Sequence, residues 1–499
     1  MADPTEMLPD RIQDFINREA AIIKAEGKHS YTAAAWVEST NATFLAASST
    51  NEHYLPLLSM FLGQGETISE TLPFAEPGHS IDLPPLGPLE RSQSRVIQNF
   101  FNHQVSLVHA PAGSALQSTI VAVAEAVLRE APQTKILICG YTDTAVDKIA
   151  DGFVFRENLC DFRFHHLHLQ HGKTSSLEAF RLIVCTYSSS WDEWPKEGWT
   201  PHVLIAADAG ILANDEFLML LSKHFTSLTR LVLLGDHRQL GPYAKPLRGK
   251  TDGHKSVFEK LMEERWPSCM LDVDHVTHSD LCSLRSKVFY GHQLQAARRT
   301  GDPGLFLSKM LERLAAGLQI VDERGKATRI TSFAHFFDID DPTAVNEQPQ
   351  ANFVDVLVRT LLSTGACQMS QIMVVSGSDS SKVLLSRNAT TGWDKVPIHT
   401  VQSAQGLTAN VAIFCLPRSH EKMLQSPMCT NRAACVITSL AIDMILFVGK
   451  WSAVFNLPHN NDFQRTMIHM DQNVTGFLRR VGVFPWKIEG PAVDEHGEG

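Results

Sequence analysis

The sequence predicts an α/β protein with two tandem domains, each built on a parallel sheet. Short, nearly uninterrupted apolar runs recur along the 499 residues, and helix-forming segments such as STIVAVAEAVLREA (118–131) separate them. Runs of this kind are typical of strands that are buried on both faces of a parallel sheet. A second series follows a break around residues 270–345 and indicates a second domain of the same class.

Each strand is predicted from one apolar run. In the first series the runs are VSLVHA, KILICG, RLIVCTY, HVLIAAD and RLVLLGD, and in the second they are QIMVVSG, VPIHTV, NVAIFCL and MILFVGK. A helix, FVDVLVRTLL, lies within the second series. Ligands of open parallel sheets bind at the carboxyl ends of the strands, so we expect a ligand cleft between the two domains.

Changes in composition set the predicted domain boundaries. The proline-rich segment IDLPPLGPLE cannot continue a helix or a central strand, and it ends an N-terminal region in which we find no motif. The last forty or so residues end in the acidic EGPAVDEHGEG, which is typical of a disordered tail. We therefore predict an N-terminal region at 1–85, a first domain at 86–268, a second at 269–458 and an extension at 459–499.

Composition excludes several classes of protein. The formal net charge of -10 gives no overall electrostatic attraction to nucleic acid, so binding of RNA or DNA requires a local groove. The nine cysteines are scattered without a C-x-x-C spacing, which argues against a disulfide framework or a zinc ribbon. The start, MADPTEMLPDRIQDF, lacks the pattern of a signal peptide, and we find no apolar run long enough to span a membrane. We expect a cytoplasmic or nuclear protein without a membrane partner.

The first strand leads into a loop and helix, SLVHAPAGSALQSTIV, arranged like a phosphate-binding loop. In the pattern G-x-x-x-x-G-K-[ST], the two glycines, the lysine and the hydroxyl fall on Ala110, Ala115, Leu116 and Gln117. All four residue types are replaced. Only Gly113 remains as a glycine of the loop.

The order of the surrounding motifs resembles the superfamily 1 helicases of the Upf type, which include nonsense-mediated decay helicases. The resemblance covers roughly residues 88–450 and implies two RecA-like domains that couple ATP hydrolysis to movement along a single strand. Its most specific segments are GDHRQLGP, SKVFY and TVQSAQG.

The resemblance implies that the residues for ATP hydrolysis are replaced. The family's lysine and magnesium-binding hydroxyl fall on Leu116 and Gln117, its magnesium-binding aspartate on Ala207, and its two arginines on Val276 and Ser439. An arginine finger alone is worth about 10³ to 10⁵ in rate, so hydrolysis is expected near background. No cofactor is expected, and Mg-ATP would bind only if the chain is an active helicase with an unusual site.

Some family positions are kept in part. They are Gln93 at the adenine-contacting position, Gly113, Asp208 at the water-polarising carboxylate, Asp236 and Gln239 of the coupling motif, and Gly406. The alternatives are a surface or helix-start role for Gln93, a role for Asp208 in capping or bonding its own loop, and loop geometry for Asp236 and Gln239. For nucleic acid, the resemblance points to Thr142, Thr186 and Ser188, although hydroxyl residues are also common in turns.

The cluster FRFHHLHLQHG offers His165, His166, His168 and His171, of which His166 and His168 would share one strand face. Since no carboxylate or cysteine stands at a suitable spacing, no metal site is predicted. The nine cysteines are expected to be small core residues, for example Cys139 and Cys185.

Three functions remain open from the sequence. The first is a pseudo-helicase that acts as a nucleic-acid or protein scaffold, with single-stranded RNA or DNA and proteins of an RNA-processing or silencing complex as partners. The second is an active ATP-dependent helicase with an unusual site. The third is a protein-interaction module without nucleic-acid binding.

Overall fold

A computed structural model shows two compact units, Met1–His275 and Val276–Gly499. The structure describes residues 89–154, 164–166, 180–192, 199–213, 216–217, 220–221, 224, 227–242, 255–297, 333–339, 346–389, 392–426, 429–458, 461, 463–465, 467–468 and 480–482. The predicted regions 1–85 and, for the most part, 459–499 lie outside these residues.

The first unit contains a seven-stranded, wholly parallel sheet with the order β3-β4-β2-β5-β6-β1-β7. Its strands are β1 Val105–His109, β2 Ile136–Gly140, β3 Phe164–His166, β4 Leu182–Thr186, β5 Val203–Ala206, β6 Arg230–Gly235 and β7 Ser268–Met270, followed by the short β8 Val273–Asp274. Its helices are α1 Arg91–Asn102, α2 Leu116–Glu130, α3 Asp143–Val154, α4 Tyr187–Asp192 and α5 Val257–Glu263. All five strands predicted for this domain are confirmed.

The first sheet is covered on both faces, which explains why its central strands are mostly apolar. Alternate side chains of a strand point to opposite faces. Leu107 belongs to a core cluster that also contains Trp199 and Phe258, whereas Val108 belongs to a second cluster with α2 residues such as Ile120. The α/β class follows from this burial on two faces.

The second unit contains a six-stranded parallel sheet with the order β12-β11-β13-β14-β10-β15. Its strands are β9 Gln295–Ala296, β10 Ala334–Asp338, β11 Ile372–Ser376, β12 Ile398–Thr400, β13 Ala409–Cys415, β14 Ala441–Gly449 and β15 Arg480–Gly482. Its helices are α6 Ser279–Phe289, α7 Gln348–Ser363, α8 Asp379–Ala389, α9 Val401–Ala404, α10 His420–Gln425, α11 Asn431–Leu440 and α12 Trp451–Phe455, with a short 3₁₀ turn at Met369–Gln371. The four predicted strands and the predicted helix FVDVLVRTLL are all present.

The start of the second unit differs slightly in position from the predicted boundary at 268/269. Residues Ser268–Met270 pair with β1 at the edge of the first sheet, so this strand is part of the first unit. The cleft between the two domains stays a prediction. Within the described residues, no helix combines the length and the apolar character needed to cross a bilayer.

Candidate functional site

The loop after β1 has the path of a phosphate-binding loop. The Ala110 N–H donates to the Gly235 carbonyl at the end of β6 (2.8 Å), and the Ser114 N–H donates to the Pro111 carbonyl (3.1 Å). Ala115 caps α2 with a left-handed backbone, φ 59 and ψ 38. This is one of the two positions where the P-loop pattern has glycine, so the backbone keeps a conformation that suits glycine although the residue has changed.

The first residues of α2 bring no cation to this loop. Leu116 begins the helix, is half-buried, and packs against the core cluster around Val108 and Ile120. Gln117 is also half-buried and offers only a neutral amide. The N-terminus of a helix attracts anions through its unpaired N–H groups, but the lysine that would neutralise a triphosphate is replaced by a core-facing side chain.

A carboxylate lies against the loop from the other side. Gly113 has φ +84, and its carbonyl accepts a hydrogen bond from the His275 N–H (2.9 Å). A Cβ atom on Gly113 would lie only 2.3 Å from the Asp274 Oδ1 atom, so the fully buried Asp274 carboxyl packs directly on this glycine. Asp274 lies two residues before Val276, the position of one of the family's arginines, but nothing in the sequence indicates its contact with Gly113.

Gln93 is buried and lies beside the loop. Its Oε1 accepts from the Glu90 N–H (3.1 Å), which closes the first turn of α1. Its Nε2 donates to the hydroxyls of Ser118 (3.0 Å) and Thr119 (3.2 Å) in α2. These bonds use both ends of the amide to join the starts of α1 and α2, which matches the helix-start alternative for this residue.

Ala207, which stands where the resembled family has its magnesium-binding aspartate, is apolar and enclosed. Ala207 is fully buried, its N–H donates to the Cys139 carbonyl (2.8 Å), and its carbonyl accepts from the Tyr187 hydroxyl (2.6 Å). Burial raises the pKa of the Tyr187 hydroxyl well above its usual value, so it remains a donor. Both main-chain groups of Ala207, at this end of β5, are thus hydrogen-bonded to neighbouring residues.

Asp208 follows in a left-handed conformation, with φ 56. Burial raises the pKa of its carboxyl from 3.8 to about 6, and the nearby positive charge of Lys148 opposes the rise. Its carbonyl accepts from the Ile211 N–H (3.0 Å), as in a turn. Desolvation is therefore the stronger of the two effects on this carboxyl.

The coupling-motif residues form a compact polar group at the carboxyl end of β6. The Asp236 Oδ1 atom lies 2.9 Å from His109 Nε2 and accepts from the Arg238 N–H (2.9 Å). Its Oδ2 accepts from Gln239 Nε2 (2.9 Å). The imidazole of His237 lies 4.6 Å from that of His109, centroid to centroid. Sequence reasoning placed Asp236 and Gln239 here but did not single out the two histidines. His109 belongs to β1, so it adjoins the other residues only in the folded sheet.

The two positions of the second unit at which the resembled family has arginines carry no charge. Val276 is half-buried at the start of the unit. Ser439 is buried in α11, and its hydroxyl donates to the Val436 carbonyl of its own helix (2.6 Å). Gly406 is exposed with φ +81 in the turn after α9, a conformation that favours glycine for steric reasons alone.

The nucleic-acid candidates meet at one edge of the first sheet. Gly140 is the register partner of Thr186, so Thr142 and Ser188 follow neighbouring strand ends, and both are exposed. Thr186 is buried, and its hydroxyl accepts from the Ser189 N–H (3.2 Å) at the start of α4. Sequence reasoning missed Tyr141, which is 39% exposed at the same edge and contacts Tyr187 edge to face at 6.5 Å.

Of the histidine cluster, His165 and His166 lie in β3, and nothing is described of their side chains. His168 and His171 fall outside the described residues. Cys139 and Cys185 are core residues of neighbouring strands, as predicted, with their Sγ atoms 4.0 Å apart.

Comparison with known proteins gives partial matches. The profile of a family described as "AAA domain" matches residues 254–451. Over 149 residues the chain is 30% identical to the "3'-5' exoribonuclease HELZ2" of Mus musculus, which covers 30% of this chain and 5% of that protein. Over 351 residues it is 24% identical to the "DNA replication ATP-dependent helicase/nuclease dna2" of Schizosaccharomyces pombe. This match covers 64% of this chain and 24% of that protein.

A solved structure gives a weaker likeness. The helicase known as arterivirus nonstructural protein 10 aligns with a TM-score of 0.39 and 12% identity, over 75% of this chain and 63% of that one. The chain spans a quarter or less of the length of the two curated relatives. Over part of its length the chain is thus similar to the AAA-domain profile and to these two relatives, one of which is a helicase/nuclease by its printed name.

Proposed function

We propose that this chain is an Upf-type pseudo-helicase, which does not hydrolyse ATP and acts as a binding component for single-stranded nucleic acid. The observation that carries the proposal is the phosphate-type loop, where Leu116 occupies the lysine position and the Asp274 carboxyl packs on Gly113. Its protein partners would be components of an RNA-processing or silencing assembly.

Electrostatics at the loop oppose a triphosphate. Two like charges about 5 Å apart interact by roughly 3 kcal/mol at an effective dielectric constant of about 20. A phosphate held at Gly113 would meet the Asp274 carboxylate at close range without a compensating lysine. Each 1.4 kcal/mol is about tenfold in affinity, so an ionised Asp274 at that distance would lower nucleotide affinity by about two orders of magnitude.

Catalysis would lack its other charges as well. Ala207 cannot bind magnesium, and it lies in an apolar core cluster. Neither Val276 nor Ser439 carries a charge to stabilise a transition state. Removal of one such electrostatic group costs about 10² to 10³ in rate, and an arginine finger more.

A steady-state phosphate-release assay with saturating Mg-ATP and single-stranded RNA or DNA tests this half of the proposal. We expect a rate equal to the protein-free background with either strand. A strand-stimulated rate that disappears in Asp208→Asn would establish the active-helicase alternative instead.

The binding half of the proposal depends on the sheet edge that carries Tyr141, Thr142 and Ser188. Bases stack on exposed aromatic rings, and hydroxyls contact the phosphate backbone. Tyr141 offers such a ring next to the exposed hydroxyls of Thr142 and Ser188. Thr186, by contrast, is buried, so we assign it no contact with the strand.

Fluorescence anisotropy with labelled oligonucleotides over a salt series tests the binding surface. Base stacking contributes about 1–3 kcal/mol, so Tyr141→Ala should weaken binding by about 5- to 100-fold. The matched control Tyr141→Phe keeps the ring and should bind like the wild type. If the wild type shows no salt-dependent affinity for any oligonucleotide, the protein-interaction module is the correct function.

A further inference from the structure

We propose that His109, Asp236 and His237 form a site for a divalent transition metal, with Zn²⁺ as the best-matched ion. Within the described residues, these three are the one group of His, Cys, Asp or Glu side chains whose ligand atoms all lie within 4.8 Å of one another. The proposal does not depend on ATP hydrolysis or on strand binding.

The spacing of the ligand atoms suits a tetrahedral ion. Zn–N and Zn–O distances of about 2.0–2.1 Å place neighbouring ligand atoms roughly 3.3 Å apart. The His109 Nε2 and Asp236 Oδ1 atoms are 2.9 Å apart and need to separate by only a few tenths of an ångström. His237 adjoins Asp236 in the chain, and its ring nitrogen has to approach by at most about 1.5 Å, since all three ligand atoms lie within 4.8 Å of one another.

The supports of the ligands are rigid. His109 is the last residue of the buried strand β1, and its side chain is only 10% exposed. Asp236 directly follows β6, the neighbour of β1, and its side chain is 4% exposed. Ligands fixed on adjacent strands lose little conformational entropy on binding an ion.

The carboxylate also has the outer contacts that metal ligands commonly have. The Gln239 amide donates to Asp236 Oδ2, and the Arg238 N–H donates to Oδ1. The His237 ring packs near Phe258, with centroids 6.5 Å apart, which limits its rotation. Such second contacts orient ligands and tune their affinity.

The ligand types favour zinc over magnesium. Two imidazoles and one carboxylate are ligands of Zn²⁺ and similar ions, whereas Mg²⁺ prefers oxygen ligands and retains several waters. Three protein ligands leave the fourth position for water. The bound ion would join the end of β1, just before the phosphate-type loop, to the loop after β6.

Calorimetric titration of the chelator-treated full chain with ZnCl₂ tests the proposal. We expect one tight site in the wild type, weakened at least tenfold in His109→Gln and in His237→Gln. The control His292→Asn changes an exposed histidine at φ 65, a conformation that asparagine tolerates, and should retain the site.

Absorption of Co²⁺ in place of Zn²⁺ gives an independent measurement, since tetrahedral Co²⁺ with these ligands has visible bands. The bands should be absent in His109→Gln and His237→Gln and present in His292→Asn. If His109→Gln fails to fold without metal, His237→Gln and Asp236→Asn decide the question. Equal zinc binding in all variants, or no tight site in the wild type, would overturn the proposal and leave a hydrogen-bonded His–Asp pair.

Discussion

Single residues of the first unit carry the argument against ATP hydrolysis. Leu116 is core-facing at the position of the family's lysine, the Asp274 carboxyl packs on Gly113, and Ala207 is enclosed. These three changes act on charge at different points around one loop and one strand end. A single reverting substitution therefore restores only one of several missing interactions.

Leu116→Lys should not produce ATP turnover, because the carboxylate that would bind magnesium and the two arginines are still replaced, by Ala207, Val276 and Ser439. Leu116→Met, which keeps an apolar side chain of similar size, is the matched control. Both variants are expected to release phosphate at the protein-free rate. Turnover in Leu116→Lys alone would mean that the other replaced positions matter less than their chemistry implies.

The Asp208 carboxyl should make the protein less stable as the pH rises. Its pKa is about 6 in the folded chain against 3.8 as the reference value, so the folded state holds the proton more tightly. The unfolded chain releases its proton first, and the free energy of unfolding falls as the pH rises from about 4 to 6. The full penalty, about 3 kcal/mol, is present above pH 6.

Asp208→Asn removes this penalty and keeps a residue type that tolerates φ 56. We expect its melting temperature to exceed that of the wild type at pH 7.5 and to approach it at pH 4. A difference between the two proteins that is the same at both pH values would show that the carboxyl does not titrate in this range.

At the scale of elements, the loop between β1 and α2 keeps a glycine-like backbone without the glycine. Ala115 adopts φ 59 and ψ 38, which costs an L-residue about 1–2 kcal/mol relative to the right-handed region. The neighbouring interactions of α2, including the hydroxyls of Ser118 and Thr119 that donate to the Ala115 carbonyl (2.9 Å each), hold this conformation in place.

Ala115→Gly should therefore raise the free energy of unfolding by about 0.5 kcal/mol, because relief of the strained backbone exceeds the added entropy of the unfolded chain. Ala112→Gly is the control in the same loop, since Ala112 lies outside the left-handed region. It should lower stability by about 0.5–1 kcal/mol. Chemical denaturation measures both values, and a loss of stability in Ala115→Gly would contradict the strain.

The strands and helices could be predicted from sequence for a clear physical reason. β1, β2, β4, β5 and β6 are buried on both faces, so most of their positions are apolar and the run itself reveals the strand. Contacts between distant segments leave no such pattern. The packing of Asp274 on Gly113 and the approach of His109 to Asp236 arise only when β1, β6 and β7 become neighbours in the sheet.

At the scale of the whole molecule, the net charge of -10 limits what the chain can bind. A strand held at the Tyr141 edge gains affinity mainly from stacking and hydroxyl contacts, with few counterions released. We therefore expect the logarithm of the binding constant to fall only shallowly with the logarithm of salt concentration, with a slope of about -1 to -3. A slope near -8 would indicate a basic groove elsewhere in the chain.

The central proposal is that the chain does not use ATP, and thermal unfolding with and without Mg-ATP tests it most directly. A ligand that binds the native state raises the melting temperature by an amount that grows with the logarithm of its concentration above the dissociation constant, and at 100 times that constant it contributes about 2.7 kcal/mol. We predict no change in melting temperature at millimolar Mg-ATP. A magnesium-dependent rise of several degrees, abolished by Asp208→Asn, would contradict the account.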